Sequence, residues 1–172
     1  MNSSSISGYI EKYGKDIYSF CIYLTRNRDD ADDLYQQTFL TAISKDEINA
    51  DDNPKSYLIS VAANIWRNDR RKKLWRDNKA NIVYFNEGEA ELAVDTRNTA
   101  EEDFIKQDEL KALRLNVEKL PDKLRVVILM FYMEDMPINK IAKALKIPEG
   151  TVKSRLNKAK TLLKGWMAEY ER

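Results

Sequence analysis

The side chains present limit what chemistry this chain can do. Its 172 residues contain no histidine and one cysteine, which excludes a histidine base, a His-containing zinc site and a disulfide framework. No Gly-Lys phosphate loop or nucleophile–base pair stands out, so no enzyme, cofactor or small-molecule substrate is expected. What remains is charge. Net charge is +1, but it is unevenly spread. From Asp29 to Asp52 eight acidic residues stand against one lysine, and from Arg67 to Lys79 seven basic against two acidic. From Glu87 to Glu109 nine acidic stand against two basic, and from Lys140 to Lys164 eight basic against one acidic. Clustered Lys and Arg attract phosphate backbones and release counterions. One such run is ordinarily a solvated face; two, each at the end of a helical pattern, point to one extended polyanion touching both. The aspartates at 29, 30, 32 and 33 raise the question of a divalent metal. Adjacent carboxylates at a helix start splay around the axis, and no glycine-containing calcium loop follows, so no metal is expected.

The second basic block has a finer pattern. In KIAKALKIPEGTVKSRLNKAK, residues 140–160, a short apolar-striped helix meets a Pro/Gly break and then a basic helix. A helix-turn-helix needs an apolar stripe on each helix, a tight turn, and a second helix with its outer face free for the major groove. Ile138 to Leu145 supplies the first helix, KIPEG the turn, and Thr151 to Lys164 the second. On a helical wheel Thr151, Ser154, Arg155 and Lys158 fall to one side of the apolar stripe, and Lys153, Asn157, Lys160 and Lys164 to the other. These groups can bond phosphates and base edges. On pattern alone a bundle helix with a solvated basic face remains the alternative.

The elements that must position these charges are helical. Ile6, Ile10, Tyr13, Ile17, Phe20, Cys21 and Leu24 follow the helical repeat and predict a helix over about 7–24, with Cys21 a core thiol. A second helix is expected from the Asp29–Asp33 cluster, which suits the positive end of a helix dipole. Asn53-Pro54 reads as an N-cap followed by proline at the first helical position, opening a third helix through Tyr57, Leu58, Val61, Ala62 and Ile65. Residues 77–98 show no sustained period and read as a flexible linker. Thr99 to Glu102 has capping-box spacing for a fourth helix. DKLRVVILMFYMEDM is apolar on most of its circumference and predicts a buried central helix. No apolar run is long enough to span a membrane, and MNSSSISGYIEK lacks the blocks of a signal peptide, so a cytoplasmic protein is expected. The fold class is all-α: two small helical domains, 1–76 and 99–172, joined by the linker 77–98, the second holding the helix-turn-helix.

The stretch LPDKLRVVILMFYMEDMPINKIAKALKIPEGTVKSRLNKAKTLL resembles region 4 of the extracytoplasmic-function sigma factors of bacterial RNA polymerase. Its leading Leu-Pro, Ile141-Ala142 and above all Gly150 to Leu156 (GTVKSRL) carry the resemblance. DDADDLYQQTFLTA (Asp29 to Ala42) resembles region 2.2, and SYLISVAANIWRNDRRKK (Ser56 to Lys73) resembles regions 2.3 and 2.4. Motifs in family order thus cover most of the chain.

That resemblance implies a transcription-initiation factor whose partners are core RNA polymerase and promoter DNA, both double-stranded and melted. It also implies an anti-sigma factor wrapped around both domains, a membrane-bound one among the options. Docking on the polymerase clamp helices would fall to Asp33, Leu34, Gln36, Gln37 and Phe39; relatives usually carry an acidic residue at the position of Gln37. Phe39 is equally suited to the core. Minus-ten recognition and opening would use Asn64, Trp66, Arg67, Asn68, Arg70 and Arg71, with an extruded base held by the loop Ser44 to Asn53. Trp66 is equally suited to packing against a neighbour. The minus-thirty-five element would be read by Thr151, Lys153, Ser154, Arg155 and Lys158. Where many relatives open the helix-turn-helix with a capping Ser and acidic residues, this chain has Pro137, Asn139 and Lys140. The rivals are a stand-alone helix-turn-helix regulator, an acidic-site nuclease using Asp29 to Asp33, and a binding adaptor.

Overall fold

A computed structural model describes residues 3–45, 53–79 and 104–170. Among them are seven α-helices, one π-helical turn and no strand. The N-terminal half consists of α1 (Ser3–Thr25), α2 (Arg28–Lys45) and α3 (Pro54–Lys79). The C-terminal half consists of α4 (Phe104–Lys119), α5 (Asp122–Ile128), the π-helical turn (Leu129–Met133), α6 (Ile138–Leu145) and α7 (Glu149–Tyr170). The capping box at 99–102, residues 80–98 of the expected linker and residues 46–52 of the expected base-holding loop lie outside the described residues. The helix α3 continues through Lys79, three residues past the point where its apolar period fades, because the basic segment has good intrinsic helix formers in Arg, Lys and Leu.

Local chemistry sets the helix ends. Asn27 Oδ1 accepts the backbone N–H groups of Asp29 at 2.9 Å and Asp30 at 3.1 Å, so an N-cap as well as the aspartates starts α2. Asn53 Oδ1 does the same for Lys55 at 3.1 Å and Ser56 at 3.4 Å, ahead of Pro54. The chain leaves α1, the π-helical turn and α6 through left-handed residues: Arg26 (φ 58°), Asp135 (φ 52°) and Lys146 (φ 55°). After α6 the Ile147 N–H reaches back to Ala142 O at 3.1 Å, the six-to-one bond of a Schellman ending. Lys146 is therefore the hinge of the helix-turn-helix, at a place where glycine would carry less strain.

Packing follows the apolar stripes. Ile17, Phe20, Cys21 and Leu24 of α1 are fully buried against Ala31 and Leu34 of α2 and Leu58, Ile59 and Ala62 of α3. In the C-terminal half the expected central segment is buried from Leu124 to Met130 and covered by Ile141, Leu145, Val152, Leu156 and Ala159. Each fully buried Leu, Ile or Phe side chain stabilises the fold by roughly 1.5–3 kcal/mol. The two halves also meet: α1 lies against α5 and the π-helical turn, and α3 against α6. Their buried residues form one continuous cluster. Burial pushes the Cys21 thiol up to about 12, so it is a core residue without redox chemistry.

Candidate nucleic-acid interface

The helix-turn-helix is formed by α6 and α7. Val152, Leu156 and Ala159 turn inward and anchor α7, which leaves Lys153, Ser154 and Lys158 exposed and Thr151 and Arg155 half-exposed. An open cleft of about 470 Å³ runs beside this face, lined by Pro121, Lys123, Thr151, Ser154, Arg155 and Lys158. Lys123 was invisible as a partner in the sequence because it lies about thirty positions upstream; the fold alone brings it to the recognition helix. With Arg155 and Lys158 it gives that cleft three cations, a phosphate-binding arrangement.

The other basic helix is divided by depth. Asn68 and Arg71 are exposed, and Asn64, Arg67 and Arg70 are half-buried. Trp66 is 7% exposed and lies beneath the Arg125 guanidinium, 5.7 Å from its ring centre. In this arrangement Trp66 packs against the other half of the protein and offers no face to a base. Its neighbours are engaged there too. An Arg67 Nη1 donates to the carbonyl of Leu145. Arg70 Nε and Nη2 reach Asp122 Oδ2 at 2.7 and 2.5 Å. Burial, and then the nearby charges of Arg71 and Arg155, pull Arg67 below its ordinary value. From Leu74 to Asn78 the helix stands exposed on all sides, with Trp75 61% accessible.

On α2 the five expected docking residues separate. Asp33, Gln36 and Gln37 are exposed, whereas Leu34 and Phe39 are 5% and 6% exposed and belong to the core. A helix cannot turn Phe39 and Leu40 to the same side, so burying the phenyl ring leaves Leu40 65% exposed, with Ile43 at 42%. These two apolar residues extend the outer face that the motif alone did not single out. Tyr35 packs edge-on against Phe39, ring centres 5.0 Å apart, and Tyr18 Oη donates to Asp32 Oδ1 at 2.6 Å. That bond, with burial, raises the Tyr18 hydroxyl above its ordinary value and ties α1 to α2. Asp32 is thus a structural acceptor, and among the described residues no group of three acidic or cysteine side chains is arranged to hold a metal. Among them too, no helix is long and apolar enough to cross a membrane.

Two family models match the chain, one in each half. Residues 9–76 match the Sigma-70 region 2 family and residues 110–163 match Sigma-70, region 4. The ECF RNA polymerase sigma factor SigW of Bacillus subtilis (strain 168) is 27% identical over 169 residues, covering 95% of this chain and 89% of that protein. Among solved structures, the sigma factor RpoE in complex with the anti-sigma factor NepR from Bartonella quintana superposes with a TM-score of 0.73 at 19% identity, covering 95% and 97% of the two chains. CnrH in complex with the cytosolic domain of CnrY gives 0.63 at 18%, covering 98% and 90%. A stand-alone helix-turn-helix regulator does not account for the region 2 match. With regions 2 and 4 both present and in order, the chain belongs to the ECF sigma factors, the promoter-specificity subunits of bacterial RNA polymerase.

Proposed function

We propose that this sigma factor docks core polymerase through the outer face of α2, built from Asp33, Gln36, Gln37, Leu40 and Ile43, with Leu34 and Phe39 holding that face from beneath. Lys153, Ser154 and Lys158, with Thr151, Arg155 and Lys123 along the cleft, contact the minus-thirty-five element. Asn64, Trp66, Arg67, Asn68, Arg70 and Arg71 contact the minus-ten element once DNA is engaged. The observation that carries this assignment is the pair of basic helices, α3 and α7, one in each half of the chain. Two linked weak sites on one polyanion gain affinity from their connection. Strand separation is driven by binding unpaired bases and phosphates, with no catalysis by this chain, so it acts wherever the polymerase is, in the cytoplasm. An anti-sigma factor is a further partner, supported by the fold shared with RpoE and CnrH, each solved with another protein bound.

The test is run-off transcription with purified core polymerase on a genomic promoter library. Start sites that depend on the chain are expected, and they should disappear with Leu40→Asp/Ile43→Asp while the fold is retained. Absence of any chain-dependent start site refutes the function. Normal core binding by the double variant refutes the docking face.

A further inference from the structure

The minus-ten residues proposed on α3 do not share one face. At about 100° per residue, Asn68 and Arg71 fall within about 40° of Asn64 and make one stripe with it; Asn64 is half-buried and the other two are exposed. Trp66 lies about 160° around the helix from Asn64, and Arg70 about 120°. Both therefore meet the C-terminal half, Trp66 under Arg125 and Arg70 on Asp122. Arg67 stands between the two faces, with a donor on the Leu145 carbonyl. The outward stripe thus holds amides and a guanidinium, while the one aromatic ring of the set is turned away from it. The same stripe acquires a ring two turns further on. Trp75 is about 20° from Asn64 on that wheel and is 61% accessible, whereas Trp66 is buried and Trp166 half-buried.

We propose that Trp75 stacks on an unpaired base of the promoter, so that the DNA-contacting face of α3 runs to the C-terminal end of the helix. This rests on the minus-ten assignment above and adds to it a residue that no motif singles out. An exposed indole can also serve a protein partner, and Leu74, 51% exposed, is a second apolar group close by. The neighbours decide between the two. Within about 60° of Trp75 stand Arg71, Lys72 and Asn78, all exposed, while Leu74 is about 100° away. An apolar pocket closing on the indole would strip water from Arg71 and Lys72 without pairing them. A nucleic acid strand offers a flat base to the ring and phosphates to those cations. Spacing fits as well. Trp75 is about 16 Å along the axis from Asn64, and one strand advances about 3.4 Å per nucleotide. The indole therefore meets a base about five positions from the one at Asn64. Stacking tolerates any base, so Trp75 adds affinity for opened DNA and leaves sequence choice to the amides and arginines.

The experiment uses holoenzyme assembled from core polymerase and the full-length chain. The probe is a promoter mapped by run-off transcription, carrying a non-complementary bubble across the minus-ten element so that binding does not require melting. At fixed salt, Trp75→Ala should weaken binding about five- to hundredfold, the range for losing one base–aromatic stack. Trp75→Phe should restore most of that affinity and Trp75→Leu should not. Trp75→Ala bound as tightly as wild type overturns the proposal. So does equal rescue by Leu and Phe, which marks a plain apolar contact. Weakened core-polymerase binding with DNA binding intact also overturns it, in favour of a protein-docking residue. An abasic nucleotide walked along the non-template strand supplies the positional arm. At one position, about five nucleotides from the one coupled to Asn64→Ala, the loss from Trp75→Ala should vanish; a scan without such a position overturns the stacking. Failure of the minus-ten assignment reads out separately. In that case Asn68→Ala and Arg71→Ala also bind the bubble like wild type, whereas they still weaken it if Trp75 alone is idle.

Discussion

Replacing Arg125 by alanine should shift the chain toward separated halves, and the structure gives the size of the shift. The side chain is 1% exposed. It makes two kinds of bond: those to Leu120 O at 2.7 Å and Asp122 stay within the C-terminal half, while those to Leu24 O and the Trp66 face cross to the other. Only the second kind is lost when the halves part. A hydrogen bond from a charged donor contributes about 1.5–3 kcal/mol, and a desolvated cation–π contact about 2 kcal/mol. Against them stands the cost of burying the guanidinium, large enough to pull it down to about 10 despite the neighbouring Asp122. A net loss of about 2 kcal/mol is expected, or roughly a thirtyfold change in the closure equilibrium. Small-angle scattering should show a larger radius of gyration for Arg125→Ala, and hydrogen exchange should show faster exchange at the ends of α1 and α6. Far-UV dichroism should be unchanged, because the helices do not depend on the contact. A radius of gyration and exchange pattern identical to wild type would refute the energetic role assigned to Arg125.

Three further outcomes follow from the same contacts. Lys146→Gly should raise stability by about 1 kcal/mol, because it relieves a left-handed non-glycine residue; a lower Tm by calorimetry would contradict the Schellman ending. Phe39→Ala should cost about 3–5 kcal/mol in urea unfolding as a core deletion, whereas Leu40→Asp should change stability by less than about 0.5 kcal/mol yet lower core-polymerase affinity; equal destabilisation would show that the two residues are not on opposite faces. Burial raises the Asp122 carboxyl, but Arg125 and Arg70 outweigh it and hold it below its ordinary value of 3.8. Its contribution is thus present above that value and lost as pH falls through the depressed one, so acid should favour opening below about pH 4, and Asp122→Asn should remove that part of the pH dependence measured by small-angle scattering.

The helices were legible because their signals are local. Asn53-Pro54, the i, i+3, i+4 stripes and the GTVKSRL segment each depend on residues within one or two turns, and the structure builds helices at all of them. The split between Phe39 and Leu40 was half-legible: adjacent apolar residues on a helix cannot both be buried by one face, but which of the two goes inward depends on where α1 and α3 lie. Trp66 posed the same ambiguity, and the answer came from Arg125, 59 positions away. The arginines that donate to helix-end carbonyls of the other half, Arg26 to Glu118 O, Arg67 to Leu145 O and Arg125 to Leu24 O, were not legible at all. An arginine reaching a distant helix's last carbonyl leaves no spacing in the sequence, and Arg26, Arg67 and Arg125 look there like any other surface cations.

The polar character of this contact bears on what it can do. An interface closed by aliphatic side chains would expose apolar surface on opening, and each half would then be prone to stick elsewhere. When the halves part, these arginines and Asp122 exchange their partners for water; the half-exposed Arg70–Asp122 pair contributes little, whereas the buried Arg125 contributes the roughly 2 kcal/mol worked out above. Lys55 extends the same logic: Nζ lies 3.1 Å from Asp16 Oδ2 and 3.0 Å from Glu134 Oε2. Burial works against its charge, but the two carboxylates outweigh it and hold the lysine above its ordinary value. Glu134 is different, because burial raises its carboxyl more than Lys55 lowers it, so it gains solvation when the halves part. The contact thus joins a shared apolar cluster to charged groups that gain water when the halves part.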